Sequence, residues 1–210
     1  MNAIRLRTPV NEQEVRGLRV NDRLFLSGIL ITARDMAHQR ALLYLKQGKP
    51  LPFSFENLAL FHCGPIVKKK GSEWSVVAAG PTTSSRMESV EPAFIRTFGP
   101  RIIIGKGGMG PETAKALSEI GGAYCVFTGG AAVLAAEAVK AVKDVAWLDL
   151  GMAEALWMLE VEDFGPLIVS IDSEGNNLHA SLAALVESRR SEVYKALRLE
   201  RDKAGRSPSP

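Results

Sequence analysis

A chain of 210 residues, 46% of them hydrophobic, is long enough to bury one sizeable core, with or without a small appendage. Its charge is nearly balanced, +3 with 23% charged residues, which argues against a dedicated nucleic-acid binder even at a pI near 8.9. No apolar run reaches the roughly 18 residues of a membrane span, and Met1 to Arg7 holds no apolar leader, so a cytoplasmic protein without a membrane partner is expected.

Taken in order, Asn11 followed three residues later by Glu14 predicts a capped helix to about Leu18. Arg23 to Ser27 and Ile29 to Thr32 read as a strand, or a strand pair, kinked at Gly28. Asp35 opens a helix whose apolar positions run through Met36, Ala37, Ala41, Leu42 and Leu45 until Gly48 and Pro50 stop it. Leu58 to Cys63 and Trp74 to Ala79 are apolar runs joined by a hairpin-like connection that carries Lys68-Lys69-Lys70.

From Met87 onward helices and strands alternate: helix Glu91 to Phe98, strand Arg101 to Ile104, helix Pro111 to Ile120, strand Ala123 to Phe127, helix Ala131 to Val142, strand Val145 to Leu148. Such alternation implies right-handed crossovers and a parallel sheet. Leu156 to Val161 and Leu167 to Ile171 add two strands, separated by Asp163-Phe164-Gly165-Pro166. Leu178 to Arg201 is helical, and Arg206 to Pro210 has the composition of a disordered tail. The pattern describes one α/β domain whose N-terminal third carries an extra β-rich layer.

Two stretches concentrate polar chemistry, Gly80-Pro81-Thr82-Thr83-Ser84-Ser85-Arg86-Met87 and Gly105-Lys106-Gly107-Gly108-Met109-Gly110. Each follows a strand-like run, where open α/β sheets place their sites. The second has G-x-G-x-x-G spacing, but the next strand ends in Phe127-Thr128-Gly129-Gly130 with no acid for a ribose. A phosphate loop also fails, since Gly107 follows the lysine where Ser or Thr is required. A carboxylate site fits better. Arg34, Arg86 and Lys106 all sit at loop positions after strands, and two or three such cations suit a C4 dicarboxylate. Taken singly, each loop is a plain strand-to-helix turn and each cation a surface charge. Cys63 and Cys125 lie in apolar runs and read as buried thiols, and their spacing is not that of a metal finger.

Seven motifs then occur in one order: Thr32-Ala33-Arg34-Asp35-Met36-Ala37-His38-Gln39-Arg40, Gly64-Pro65, Gly80 to Met87, Gly105-Lys106-Gly107, Leu150-Gly151-Met152, Asp163-Phe164 and Gly175-Asn176-Asn177. Over residues 5 to 190 the chain resembles the β subunit, or C-terminal domain, of the iron–sulfur hydro-lyases, the class I fumarases and L(+)-tartrate dehydratases. The resemblance implies a swivelling β/β/α three-layer domain with a mostly parallel sheet over residues 1–190, and a helix end and tail over 191–210. It also implies reversible addition of water to a dicarboxylate, with a 4Fe-4S cluster held by a cluster-bearing α subunit and none bound by this chain. An α2β2-type assembly is expected, with a homo-oligomer as the alternative for the isolated chain.

By motif match Arg34, Thr82, Thr83, Arg86 and Lys106 would bind substrate, and Thr82 with Lys106 would be catalytic, Thr82 as the base and Thr83 as its alternative. His38 and Asp35 would support them, although His38 could simply hold the loop, and His62 and His179 would pack or face solvent. Fumarate ranks first as substrate because it is the commoner assignment for separate subunits of this type; L(+)-tartrate is the alternative. A non-catalytic organic-acid-binding module is the reading from another class.

Overall fold

Alternation along the short central strands decides the layering. In strand β6 (Ile102–Gly105), Ile102 and Ile104 enter one buried cluster while Ile103 enters another. The same split divides Ala59 and Phe61 from Leu60 in β3 (Ala59–Phe61), and Ala123 and Cys125 from Tyr124 in β7 (Ala123–Val126). Successive side chains of a strand point to opposite faces, so a sheet that is apolar on both must be covered on both. The computed structural model describes residues 3–197 and shows what covers each face.

One face carries helices α2 (Asp35–Lys46), α3 (Glu91–Phe98) and α4 (Pro111–Ile120), whose buried residues Ala37, Ala41, Phe94, Ile95, Ala116 and Leu117 meet Leu60, Ile103 and Tyr124. The other face carries more sheet. Strands β2 (Arg23–Thr32) and β9 (Leu156–Ile171) supply Leu26, Trp157, Leu159 and Phe164 to the second cluster, and β8 (Val139–Ala146) packs Val139, Val142 and Val145 against it. Sheet, sheet and helix are thus three layers with two cores, an α/β domain as expected.

The seven-stranded sheet runs β1-β2-β3-β6-β7-β9-β8, with β1 spanning Ile4–Arg7, and an additional β2–β9 pairing closes β2, β3, β6, β7 and β9 into a ring. The pairings β1–β2, β2–β3, β3–β6 and β6–β7 are parallel; β7–β9, β2–β9 and β8–β9 are antiparallel. Because β2, β3, β6 and β7 run the same way, their carboxyl ends share one edge. Arg34, His62 and Lys106 follow at those ends.

Several local expectations change. The stretch expected as a helix from Ala131 to Val142 is a short helix α5 (Ala132–Glu137) and then β8, because β9 offers an open ladder from Leu156 to Val161 that outweighs the helix propensity of an alanine-rich segment. Leu156 to Ile171 is one strand of 16 residues, not two. Asp163 takes a left-handed φ of 48°, and register shifts between Leu24, Leu26 and Gly28 let β9 bend there without ending. The extra layer comes mainly from the C-terminal β8 and β9, not from the N-terminal third. The lysine-rich connection is itself a strand, β4 (Ile66–Lys70), in a hairpin with β5 (Glu73–Ala78).

Helix α1 spans Glu12–Arg16 and has the predicted capping box. Helix α6 (Leu178–Ala196) buries no side chain against the domain. No described helix is long and apolar enough to cross a membrane. The tail expected at 206–210 lies outside the described residues.

Candidate active site

The two polar loops meet. Pro81 bridges to Cys63 and Thr83 bridges to Lys106, while the Thr82 amide donates to the His62 carbonyl at 2.7 Å and the Ser84 amide to the Lys106 carbonyl at 3.1 Å. Ser84 to Met87 form a 3-10 turn that leaves Arg86 on the surface and buries Ser84. Glu88, just beyond, accepts from the Gly110 amide (2.7 Å), the Thr113 amide (3.2 Å) and the Thr113 hydroxyl (2.8 Å), so it clamps the far ends of both loops. A Cβ at Gly110 would lie 2.5 Å from that carboxylate, so a larger residue there would displace the Glu88 side chain.

Arg34 is the first cation. It is the N-cap of α2, directly after β2, and its Nε lies 3.2 Å from the Glu154 carboxylate, whose other oxygen accepts from the Met36 amide at 2.9 Å. Gly64 leaves space for the guanidinium; a Cβ there would sit 2.7 Å from Arg34 Nη1. Arg86 is the second. It forks onto Asp35 at 2.7 and 3.3 Å and donates to the Thr82 hydroxyl oxygen at 3.0 Å. Burial works against the Asp35 carboxylate, but the hydrogen bond from Arg86 prevails and its pKa falls below the ordinary value. Lys106 is exposed, its stem lying over Gly129, and has no ion-pair partner among the described residues.

Of the predicted site residues, Thr82, Arg86 and Asp35 form one hydrogen-bonded group, and Arg34 and Lys106 follow the ends of β2 and β6 on the same sheet edge, with β3 between them. Lys106 had been the cation expected beside Thr82; the one that touches its hydroxyl is Arg86. Thr83 is exposed, and its backbone pairs with Lys106. None of the three large clefts, of about 700, 500 and 580 Å³, is lined by Arg34, Thr82, Arg86 or Lys106.

Beneath these loops lies a group that sequence reasoning missed. His38, His62 and Glu91 are fully buried. His38 Nδ1 is 2.8 Å from the Arg34 carbonyl, and its Nε2 makes a close but poorly aligned contact with Glu91 Oε2 at 2.9 Å. His62 Nε2 meets the same oxygen at 3.1 Å, and its Nδ1 is 2.9 Å from Ser84 Oγ, which also accepts from the Lys106 amide at 3.2 Å. His38 thus contacts the backbone of the loop that carries Arg34, and its ring packs 4.6 Å from Phe94.

Burial opposes charge on both partners. The two imidazoles nevertheless hold Glu91 far below the ordinary carboxylate range, and Glu91 holds His38 above the ordinary imidazole value. Two imidazoles and a carboxylate within 4.8 Å of one another could in principle hold a metal. The two imidazoles instead lie 2.9 and 3.1 Å from one shared carboxylate oxygen, the second as a hydrogen bond, and solvent reaches none of the three. The sequence signal was a histidine inside an apolar strand, since a buried imidazole requires a partner. His179 pairs with Ser170 at 2.9 Å, with its ring against Gly108. Asn177 caps α6, and Asn176 bonds Asp172 in the preceding turn.

The fold and the paired loops define a class, and comparison with known proteins agrees. The profile of the family described as fumarase C-terminus matches residues 1–182. The chain belongs to that family, on the β-subunit side of the fumarate hydratase and tartrate dehydratase hydro-lyases. It is 44% identical over 192 residues to the L(+)-tartrate dehydratase subunit beta of Escherichia coli (strain K12), covering 91% of this chain and 94% of that one. A putative L(+)-tartrate dehydratase subunit beta of Methanocaldococcus jannaschii is 42% identical over 185 residues, covering 88% and 95%. A putative fumarate hydratase class I of Geobacillus stearothermophilus is 41% identical over 180 residues, covering 85% of this chain but 34% of that protein.

Proposed function

We propose that this chain is the β half of a two-subunit hydro-lyase that adds water to, or removes it from, a C4 dicarboxylate. The observation that carries the reading is that Arg86 donates to the Thr82 hydroxyl while Arg34 and Lys106 follow the carboxyl ends of β2 and β6 on the same sheet edge, Lys106 bridged to Thr83. Arg34 and Arg86 are steadied by Glu154 and Asp35, so they meet a ligand already oriented.

Elimination of water requires loss of a proton from the carbon beside a carboxylate, and the charge that develops spreads onto that carboxylate. A cation holding the carboxylate stabilises that charge more than it stabilises the ground state. Thr82 is assigned to take the proton. A threonine hydroxyl is a weak base, and the Arg86 N–H at 3.0 Å from its oxygen favours the deprotonated form. Arg34 and Lys106 are assigned to the carboxylates, Lys106 as a point charge. Thr83, exposed beside Thr82, lines the same edge.

The departing hydroxyl leaves more readily when a Lewis acid holds it, chemistry that a 4Fe-4S cluster would supply in the reading drawn from the resemblance. This chain does not fit as its holder. Cys63 and Cys125 are buried, and burial pushes both thiols up to about 12, whereas cluster ligands are thiolates. We therefore assign the cluster to an α subunit seated over the open edge. Exposed apolar side chains flank that edge: Met36 beside Asp35, Ile66 after Gly64-Pro65, Val133 beside the Ala132 that covers Gly80, and Met152 beside the Ala153 that abuts Gly64. Such a rim suits burial under a partner.

The relatives that match along their whole length favour L(+)-tartrate, dehydrated to oxaloacetate. The fumarate hydratase relative supports interconversion of fumarate and malate as the second reading. The test is to co-express the chain with its α partner, rebuild the cluster without oxygen, and assay both tartrate enantiomers, malate and fumarate. Turnover of L(+)-tartrate above malate is expected. An intact cluster that turns over none of the four would reject the hydro-lyase reading in favour of an organic-acid-binding module.

A further inference from the structure

Arg34, Thr82 and Lys106 come from three different loops, and each is tied by its backbone to the same buried chain of side chains. The Arg34 carbonyl meets His38, the Thr82 amide meets the backbone of His62, and the Lys106 amide meets Ser84. His38 and His62 in turn share one oxygen of Glu91, the first residue of α3.

The proton positions follow from the partners. A carbonyl can only accept, so His38 Nδ1 carries a proton. His38 Nε2 then lies 2.9 Å from a Glu91 oxygen, a contact that needs one proton between the two, and with Glu91 ionised that proton is on Nε2. On the other arm Ser84 Oγ accepts from the Lys106 amide and is hydrogen-bonded to His62 Nδ1, and the His62 Nε2–H donates to the Glu91 carboxylate. One assignment satisfies each link, with an imidazolium at His38 and a carboxylate at Glu91. The helix N-terminus under Glu91 favours the same charge. There is no slack at the Ser84 end, where a Cβ on Gly105 would fall 1.8 Å from the hydroxyl oxygen.

We propose that His38, Glu91, His62 and Ser84 are positioning residues, a single buried relay that fixes the separation of the Arg34, Thr82 and Lys106 loops. The proposal rests on the reading above that those three residues hold and deprotonate the substrate. All four are fully buried, and the whole relay lies on the chain whose cysteines are buried free thiols. The geometry of proton abstraction is therefore set within this chain before any partner arrives.

The test uses the full chain in complex with the cluster-bearing subunit. Ser84→Ala removes one hydroxyl from an otherwise intact core. It is expected to speed amide exchange at Lys106 about tenfold or more through local opening, with the melting temperature held. It should also lower kcat by roughly 10- to 100-fold, the cost of a small misplacement, with a lesser change in KM. Adding Glu91→Gln should lower kcat little beyond the worse single variant, because members of one network are not additive. Wild-type exchange at Lys106 in Ser84→Ala would overturn the relay, as would fully additive losses in the double variant. If Glu91→Gln does not fold, the exchange measurement decides alone. Should the wild-type complex turn over no C4 acid, the hydro-lyase reading fails, while exchange at Lys106, which needs no turnover, still judges the relay.

Discussion

The cation tips and the relay beneath them use the same kinds of group, but water reaches only the tips. Arg86 and Asp35 pair at the surface with side chains 45% and 32% exposed, whereas His38 and Glu91 pair at 0%. An exposed pair gains little because solvent competes for both partners. A buried pair also contributes little net stability, yet removing one partner strands the other without water. The tips can therefore exchange a protein partner for a ligand at small cost, while the charged pair of the relay cannot lose a member without disturbing the fold. An exposed, adaptable layer held by an unyielding one suits a site that must grip a charged ligand and let it go.

The contrast predicts a ranking of effects. Glu91→Ala leaves a buried imidazolium unpaired and should cost about 3–5 kcal/mol in denaturant unfolding; a loss typical of a surface change would break the contrast. Thr82→Ala should leave stability intact and lower kcat by about 10²–10⁴-fold, the usual contribution of a proton-transfer group. Equal turnover by mutant and wild type would remove Thr82 from the chemistry. Gly105→Ala forces its methyl against Ser84 and should destabilise by about 1–3 kcal/mol, as overpacking does, with a visible shift of the Lys106 amide resonance.

The relay should also mark the pH dependence of stability. The pKa of His38 is raised, so its contribution is complete below the ordinary value of 6.5 and is lost as pH rises through the raised one. The pKa of Glu91 is depressed, so its contribution is complete above the ordinary 4.5 and is lost as pH falls towards the lower one. The pair stabilises most between those ordinary values. A decline in melting temperature beginning above pH 6.5 should be absent from His38→Gln. Last and smallest, Asp35→Asn should change stability by less than about 1 kcal/mol while altering the KM for the dicarboxylate, because Arg86 loses its anchor.

Much of this was legible before the structure. The alternation of helices and strands from Glu91 to Phe127 follows from periodicity and glycine stops, and the seven ordered motifs pointed to the family. Local reasoning failed where pairing partners are distant. Alanine-rich Ala131 to Val142 has helical composition, yet its second half is a strand because β9, remote in sequence, offers hydrogen bonds. Ile4–Arg7 is short and alternates with arginines, so only its partner Leu24 to Ser27 makes it a strand. At the site, the cations were readable because their residue types announce charge. The relay was not: Glu91 looked like an ordinary first-turn acid of a helix, and His62 like a core residue. Contact between residues 38, 62, 84 and 91 is a product of folding, and no spacing rule foretells it.

Strand β9 makes timing a hazard for this molecule. It pairs with β2, β7 and β8, yet it is the last strand among the described residues to be synthesised. At about 5–20 residues per second, some 7–28 s separate the end of β2 at Thr32 from the end of β9 at Ile171. Throughout that interval the antiparallel edge of β2 has no neighbour, and an unpaired ladder invites strands from other chains. Newborn chains on crowded ribosomes would thus be the population most in need of a chaperone, even though the finished ring leaves no such edge on β2.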